Sequence, residues 1–81
     1  MRPYQEQFPK GSSVRIADRR VLDDFLREWK FHDKLEPRQL GFAGATAVVK
    51  RPLFHHGGDV LYELDGVPGI WHEACLRAAE L

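Results

Sequence analysis

The chain has 81 residues, with 12 Lys and Arg against 12 Asp and Glu, so its formal net charge is zero when histidine is neutral. This length is enough for one domain with a small core and leaves no room for separate catalytic and regulatory domains. Balanced charge argues against a general phosphate-binding surface, and a single cysteine excludes an intramolecular disulfide framework.

The first half of the chain predicts one strand followed by one helix. Residues 13–17 alternate polar and apolar side chains, which is typical of a short strand. Asp18 can cap a helix that we expect to continue to about Lys30, because apolar residues recur there at one-, three- and four-residue spacings. That apolar stripe consists of Val21, Leu22, Phe25, Leu26 and Trp29.

A second, shorter helical segment is predicted at residues 36–40. Pro37 occupies its first position, where the missing N–H has no cost. Before the first strand, residues 1–12 are expected to form an N-terminal arm. The predicted organisation is therefore an arm followed by one domain over residues 13–81.

The second half predicts a β-hairpin. Residues 45–54 and 59–65 are β-prone runs that flank His55-His56-Gly57-Gly58, and glycine adopts the positive φ angles that tight hairpin turns require. With Gly57 and Gly58 as the central turn residues and a positive φ at Gly57, Leu53 would lie beside Tyr62. Alternation within the second run then directs Val60, Tyr62 and Leu64 to the core.

Two further turn signals, Asp65-Gly66 and Pro68-Gly69, predict a tight reversal before an extended segment at residues 70–72. The remaining residues, 73–81, are expected to form a short turn and then a short strand. The overall prediction is a mainly β fold of about five strands, with one helix inserted after the first strand.

This order of elements resembles the SH3-like barrel in the variant found in the nitrile hydratase β-subunit and in the variable chain of ferredoxin–thioredoxin reductase. Five segments are similar to those of a small, uncharacterised bacterial family: residues 14–17, 29–32, 42–44, 56–62 and 67–73. The resemblance implies a small barrel but no activity, since a fold does not determine a function. In nitrile hydratase the metal ligands lie on the partner subunit, so no catalytic residue is implied here.

The side chains best suited to metal or thiol chemistry are His32, His55, His56, His72 and Cys75. His72 and Cys75 have a spacing that one turn could bring onto one ion, but a structural zinc site normally has four ligands, and paired Cys/His doublets are missing. We therefore assign no metal, cofactor or catalytic residue. A metal-dependent or thiol protein that uses His55, His56, His72 and Cys75 remains an alternative.

The leading functional hypothesis is a non-enzymatic binding module or accessory subunit that binds a protein. Its expected binding residues are His55 and His56 in the hairpin loop together with Trp71, His72 and Glu73, because this set combines aromatic surface with hydrogen-bonding groups. Trp71 is either an exposed anchor or a core residue that fills one end of the barrel.

A nucleic-acid-associated barrel is the second alternative. It would use Arg19, Arg20, Lys50 and Arg51 on phosphates, and the zero net charge argues against it. The sequence has no charged leader with an apolar core and no membrane-spanning apolar run, so a cytoplasmic protein without a membrane partner is expected.

Overall fold

Five antiparallel strands and one α-helix form the described part of the chain. A computed structural model describes residues 6–55 and 57–79, and every structural statement refers to these residues. The elements are β1 (Ser13–Ile16), α1 (Arg19–Glu28), β2 (Thr46–Phe54), β3 (Val60–Leu64), β4 (Val67–His72) and β5 (Leu76–Ala78). Two 3-10 helices, Pro37–Phe42 and Glu73–Cys75, precede β2 and β5.

The strands form one sheet in the order β4-β3-β2-β1-β5. Consecutive strands β2, β3 and β4 are neighbours, whereas β5 returns to pair with β1, where Arg15 lies opposite Arg77. Among the described residues no ladder joins β4 to β5. The predicted mainly β fold, with five strands and one helix after the first, is confirmed at this level.

Helix α1 begins and ends as its sequence indicates. The Asp18 side chain accepts a hydrogen bond from the Val21 amide at 3.0 Å, which satisfies one of the unpaired donors of the first turn. At the other end, the Trp29 amide donates to the Phe25 carbonyl at 2.9 Å. Leu22 is fully buried on the apolar stripe and belongs to the core, so the helix is held by tertiary packing.

The register of the hairpin differs from the prediction by one residue. Leu53 lies opposite Leu61, and Tyr62 lies opposite Pro52. The turn closes with the His55 amide donating to the Asp59 carbonyl, and the glycine with positive φ is Gly58, at 96°, rather than Gly57. The expected turn centred on two glycines was therefore wrong, since the reversal includes one residue more.

The Pro68-Gly69 turn signal was also wrong. The reversal occurs at Asp65 and Gly66, and Pro68 and Gly69 already belong to β4. Because β4 is the last strand of the sheet on its side, Pro68 can occupy it without interrupting a ladder between two partners. Gly69 has a φ of 92° within this strand.

The core combines side chains from all five strands, α1 and the two 3-10 helices, and its largest fully buried side chains are Trp71 and Tyr62. These two residues are cross-strand partners, so they share a face of the sheet, and the next pair, Leu61 and His72, occupies the opposite face. Leu61 is nevertheless buried, which the simple alternation did not predict. The second face is covered where the rings of Phe25 and Trp29 pack on His72.

The predicted N-terminal arm contributes to the core. Phe8 is buried, and its ring meets that of Tyr62 edge to face at 5.7 Å. The Tyr62 hydroxyl also accepts a hydrogen bond from the Phe8 amide at 3.3 Å. No helix in residues 6–55 and 57–79 is long and apolar enough to cross a membrane.

Candidate functional site

A cluster of histidines and carboxylates lies where the segment after α1 meets the hairpin loop and the end of β4. We refer to His32, Asp33, His55, Asp59 and His72 as the histidine cluster. The sequence brings these residues from three separate segments, so only the fold places them together. Within the cluster, His32 contacts Asp33, Asp59 and His55 directly.

His32 is the centre of this cluster. Its Nε2 lies 2.8 Å from Asp59 Oδ2, and its Nδ1 lies 3.1 Å from Asp33 Oδ2. The hydrogen bonds to Asp59 and then to Asp33 raise the pKa of His32, because both carboxylates favour the protonated ring. The His32 carbonyl accepts a hydrogen bond from Trp29 Nε1 at 2.7 Å, which ties this segment to the end of α1.

His55 stacks on His32. The two ring centroids are 3.5 Å apart, with an angle of 5° between the planes. His55 Nδ1 also accepts a hydrogen bond from the Gly57 amide at 3.2 Å. The stacking is a second connection between the hairpin loop and the segment after α1, beside the contact of His32 with Asp59.

Asp33 has a positive φ of 49°, a conformation that Asp tolerates better than most residues. In this conformation its carboxylate contacts His32 while its carbonyl accepts a hydrogen bond from His72 Nε2 at 2.8 Å. His72 is buried, with ring contacts of 4.7 Å to Phe25 and 4.9 Å to Trp29. Burial lowers the pKa of His72, so its neutral form with the proton on Nε2 fits the structure.

Three members of the cluster have the geometry of a cation site. One potential ligand atom from each of His32, His55 and Asp59 lies within 4.8 Å of the other two. His72 and Cys75 do not belong to this group, although the sequence pattern suggested them as ligands. His56 lies outside the described residues.

Cys75 is poorly suited to thiol chemistry. The side chain is completely buried, and burial raises its pKa to about 11. A buried, protonated thiol is a weak nucleophile at neutral pH. The thiol alternative therefore has no support from the surroundings of Cys75.

Of the two alternatives predicted for Trp71, an exposed anchor or a core residue, the structure shows the core residue. Its side chain is fully buried, and its Nε1 finds no hydrogen-bond acceptor among the described residues. The cross-strand pairing with Tyr62 explains this position, because that face of β4 is directed into the core.

Glu73 interacts with the N-terminal segment rather than with the histidine cluster. It accepts a hydrogen bond from the Tyr62 hydroxyl and another from the Gln7 amide. Of the sequence-predicted binding residues, the fold thus brings together His55 and His72 and directs Trp71 and Glu73 elsewhere.

Two large aromatic side chains that neighbour cluster residues in the chain are exposed. The side chain of Phe31 is 68% exposed and that of Phe54 is 48% exposed. Phe31 directly precedes His32, and Phe54 directly precedes His55. Phe31 also makes an edge contact of 5.0 Å with Trp29.

Sequence reasoning missed Asp33, Asp59 and the exposed phenylalanines. One usable signal was the density of aromatic residues and histidine in residues 29–32, just beyond the amphipathic stripe. Nothing local indicated that these residues would meet the hairpin loop.

The basic residues considered for nucleic acid are partly neutralised. Arg19 pairs with Asp23 at 3.1 Å, and Arg51 pairs with Glu63 at 2.5 Å. A side chain that already contacts a carboxylate is less available to a phosphate. The contacts therefore do not favour the nucleic-acid alternative.

Comparison with protein-family models, with curated proteins and with solved structures gives no match for this chain.

Proposed function

We propose that this chain is a non-enzymatic binding module with an SH3-like barrel, and that it binds a protein segment at a recognition surface formed by Phe31, Phe54 and His55. The observation that carries the proposal is the exposure of two phenylalanines, each of which directly precedes one of the stacked histidines in the chain. Large aromatic side chains gain substantial free energy when they are buried at an interface.

The expected barrel type is supported by the arrangement of the strands. β2, β3 and β4 form a meander, a 3-10 helix follows β4, and the short β5 pairs with β1. The first strand, inserted helix, hairpin and short final strand of the resemblance are among these elements, whereas the expected Pro68-Gly69 turn is not. Small barrels of this kind commonly use aromatic side chains near their loops to bind extended peptides.

The recognition surface replaces the one expected from the sequence alone. Trp71 is buried, so it supports the site from within and cannot contact a partner directly. Phe31 and Phe54 provide the apolar contact instead, and His55 can add a hydrogen bond. The ligand chemistry that fits is an extended segment with an apolar anchor side chain.

Selection of peptides on the purified, untagged chain tests this proposal. A displayed peptide library would be enriched on the wild-type protein, and the affinities of enriched peptides would then be measured for Phe31→Ala and Phe54→Ala. Val48→Ala is the matched control, because Val48 is also an exposed apolar side chain, on the part of β2 that pairs with β1.

We expect each phenylalanine variant to weaken peptide binding by at least about tenfold, as central aromatic anchors do. The Val48→Ala variant should bind like the wild type. Circular dichroism would confirm that all three variants are folded. Enriched peptides that bind the phenylalanine variants and the wild type equally would refute the proposed surface.

A further inference from the structure

We propose that His32, His55 and Asp59 form a binding site for one divalent transition-metal ion, with Zn²⁺ as the best-fitting ion. Two imidazoles and one carboxylate are a donor set that suits zinc, and their ligand atoms already lie within 4.8 Å of one another. The site shares His55 with the proposed recognition surface, but binding of the ion does not require a protein partner.

The required movement of the ligands is small. Zinc bound tetrahedrally at about 2.0–2.1 Å to nitrogen and oxygen places neighbouring ligand atoms about 3.4 Å apart. His32 Nε2 and Asp59 Oδ2 are 2.8 Å apart, so they would separate by about 0.6 Å to admit the ion. A ligand atom at the 4.8 Å limit would move inward by about 1.4 Å.

His32 is already oriented as a metal ligand. Its Nδ1 faces the Asp33 carboxylate at 3.1 Å, which leaves Nε2 directed at Asp59 and at the proposed ion. A carboxylate that accepts the second N–H of a ligating histidine is the usual arrangement around bound zinc, since it fixes the ring and its tautomer. The hydrogen bond that Trp29 Nε1 donates to the His32 carbonyl fixes the backbone of this residue as well.

His55 is the ligand that must rotate. Its ring is parallel to that of His32, and coordination of one ion by both rings requires a tilt. This tilt breaks the hydrogen bond that the Gly57 amide donates to His55 Nδ1. That hydrogen bond is exposed and long, at 3.2 Å. The loop beyond it contains Gly57 and Gly58 and has few steric restrictions.

Three protein ligands leave one position of a tetrahedral ion open to water. His72 is excluded as the fourth ligand because its Nε2 donates to the Asp33 carbonyl from a buried position. Cys75 is not part of the ligand group found in the described residues. The expected ligands are thus nitrogen and oxygen only.

Titration of the untagged, chelator-treated full chain with Zn²⁺ in a calorimeter tests the site, and Co²⁺ provides a spectroscopic probe of the ligands. We expect one ion per chain. The Co²⁺ complex should show the absorption of a tetrahedral ion without the intense band of a thiolate ligand. His32→Gln, His55→Gln and Asp59→Asn should each weaken Zn²⁺ binding by at least about tenfold.

Two variants are matched controls. Asp65→Asn removes a carboxylate from the exposed β3–β4 turn, and His56→Gln removes the neighbouring histidine; both should bind Zn²⁺ like the wild type. All substitutions except His32→Gln lie in the hairpin loop or at turns, so folding measured by circular dichroism should be retained. Absence of Zn²⁺ binding to the wild type would overturn the proposal. Binding that survives Asp59→Asn and His55→Gln, or that is lost only in His56→Gln, would overturn it as well.

Discussion

Replacement of Gly69 by alanine should be one of the most destabilising small substitutions in this protein. Gly69 has a φ of 92°, and a Cβ added there would lie 2.7 Å from both Cδ and Nε2 of Gln39. That distance is well inside van der Waals contact, so the Gln39 side chain would have to move. The backbone would at the same time hold an L-residue in the left-handed region.

Movement of the Gln39 side chain would cost stability, because this side chain is buried and makes two hydrogen bonds. It is 1% exposed, its Nε2 donates to the Ile70 carbonyl at 3.1 Å, and its Oε1 accepts from the Glu36 amide at 2.8 Å. Each bond contributes about 1 kcal/mol, and the left-handed backbone costs about 1–2 kcal/mol. The expected loss for Gly69→Ala is therefore about 3–4 kcal/mol.

Two other glycines separate these contributions. Gly58 has a φ of 96° but no atom within 4 Å of an added Cβ, so Gly58→Ala should cost only the backbone term of about 1–2 kcal/mol. An added Cβ at Gly57 would make only ordinary contacts, the nearest at 3.5 Å from His55 Nδ1, and Gly57 is not in the left-handed region. Gly57→Ala should therefore change stability by less than about 0.5 kcal/mol.

Urea denaturation and thermal melts followed by circular dichroism provide the measurement. For a domain of this size, 1 kcal/mol corresponds to about 4–8 °C in Tm, so Gly69→Ala should lower Tm by at least about 12 °C. In a Gln39→Ala background the clash is absent, and the cost of Gly69→Ala should fall to that of Gly58→Ala. Equal losses for Gly69→Ala and Gly58→Ala in the native background would refute the role of Gln39. A larger loss for Gly57→Ala than for Gly58→Ala would refute the assignment of the turn.

Two further predictions concern buried titratable groups. Burial raises the pKa of Cys75 to about 11, so the thiol of the folded chain should not react with an aromatic disulfide reagent at about pH 8.5. An exposed thiol is half ionised at that pH and would react. Rapid reaction without denaturant would contradict the prediction. Burial lowers the pKa of His72 in the folded chain, so the unfolded chain binds the proton more readily. Neutral His72 therefore contributes fully to the free energy of unfolding above the unfolded-state pKa of about 6.5, and this contribution is lost as pH falls below it. His72→Gln should hence be less destabilising at about pH 5.5 than at about pH 7.5 in urea denaturation, and equal losses would contradict the shift.

Local patterns were sufficient to predict most of the elements. The apolar stripe and the capping Asp18 place α1 within two residues of its observed ends, because a helix of this length depends on residues three and four apart. Pro37 likewise marks the start of the first 3-10 helix. The final short turn and strand were also predicted correctly.

The register and the extent of β4 were not predictable in the same way. Whether Gly57 or Gly58 takes the positive φ depends on how the two arms of the hairpin pack, and a change of one residue moves every cross-strand pair. Pro68-Gly69 has the local sequence of a turn, yet it lies in a strand because Gln39 from the first 3-10 helix packs against it and bonds to Ile70. That contact joins residues distant in the chain.

The sequence by itself determined the type of the elements and their order, since those properties arise from neighbours within a few positions along the chain. The tertiary structure decided which side chains meet. His32 and Asp59 are 27 residues apart, and they come into contact only in the folded chain, where the hydrogen bond from Trp29 Nε1 to the His32 carbonyl holds the segment after α1. Tertiary packing likewise placed Trp71 inside the core and left Phe31 and Phe54 outside it, because burial depends on what covers each face of the sheet.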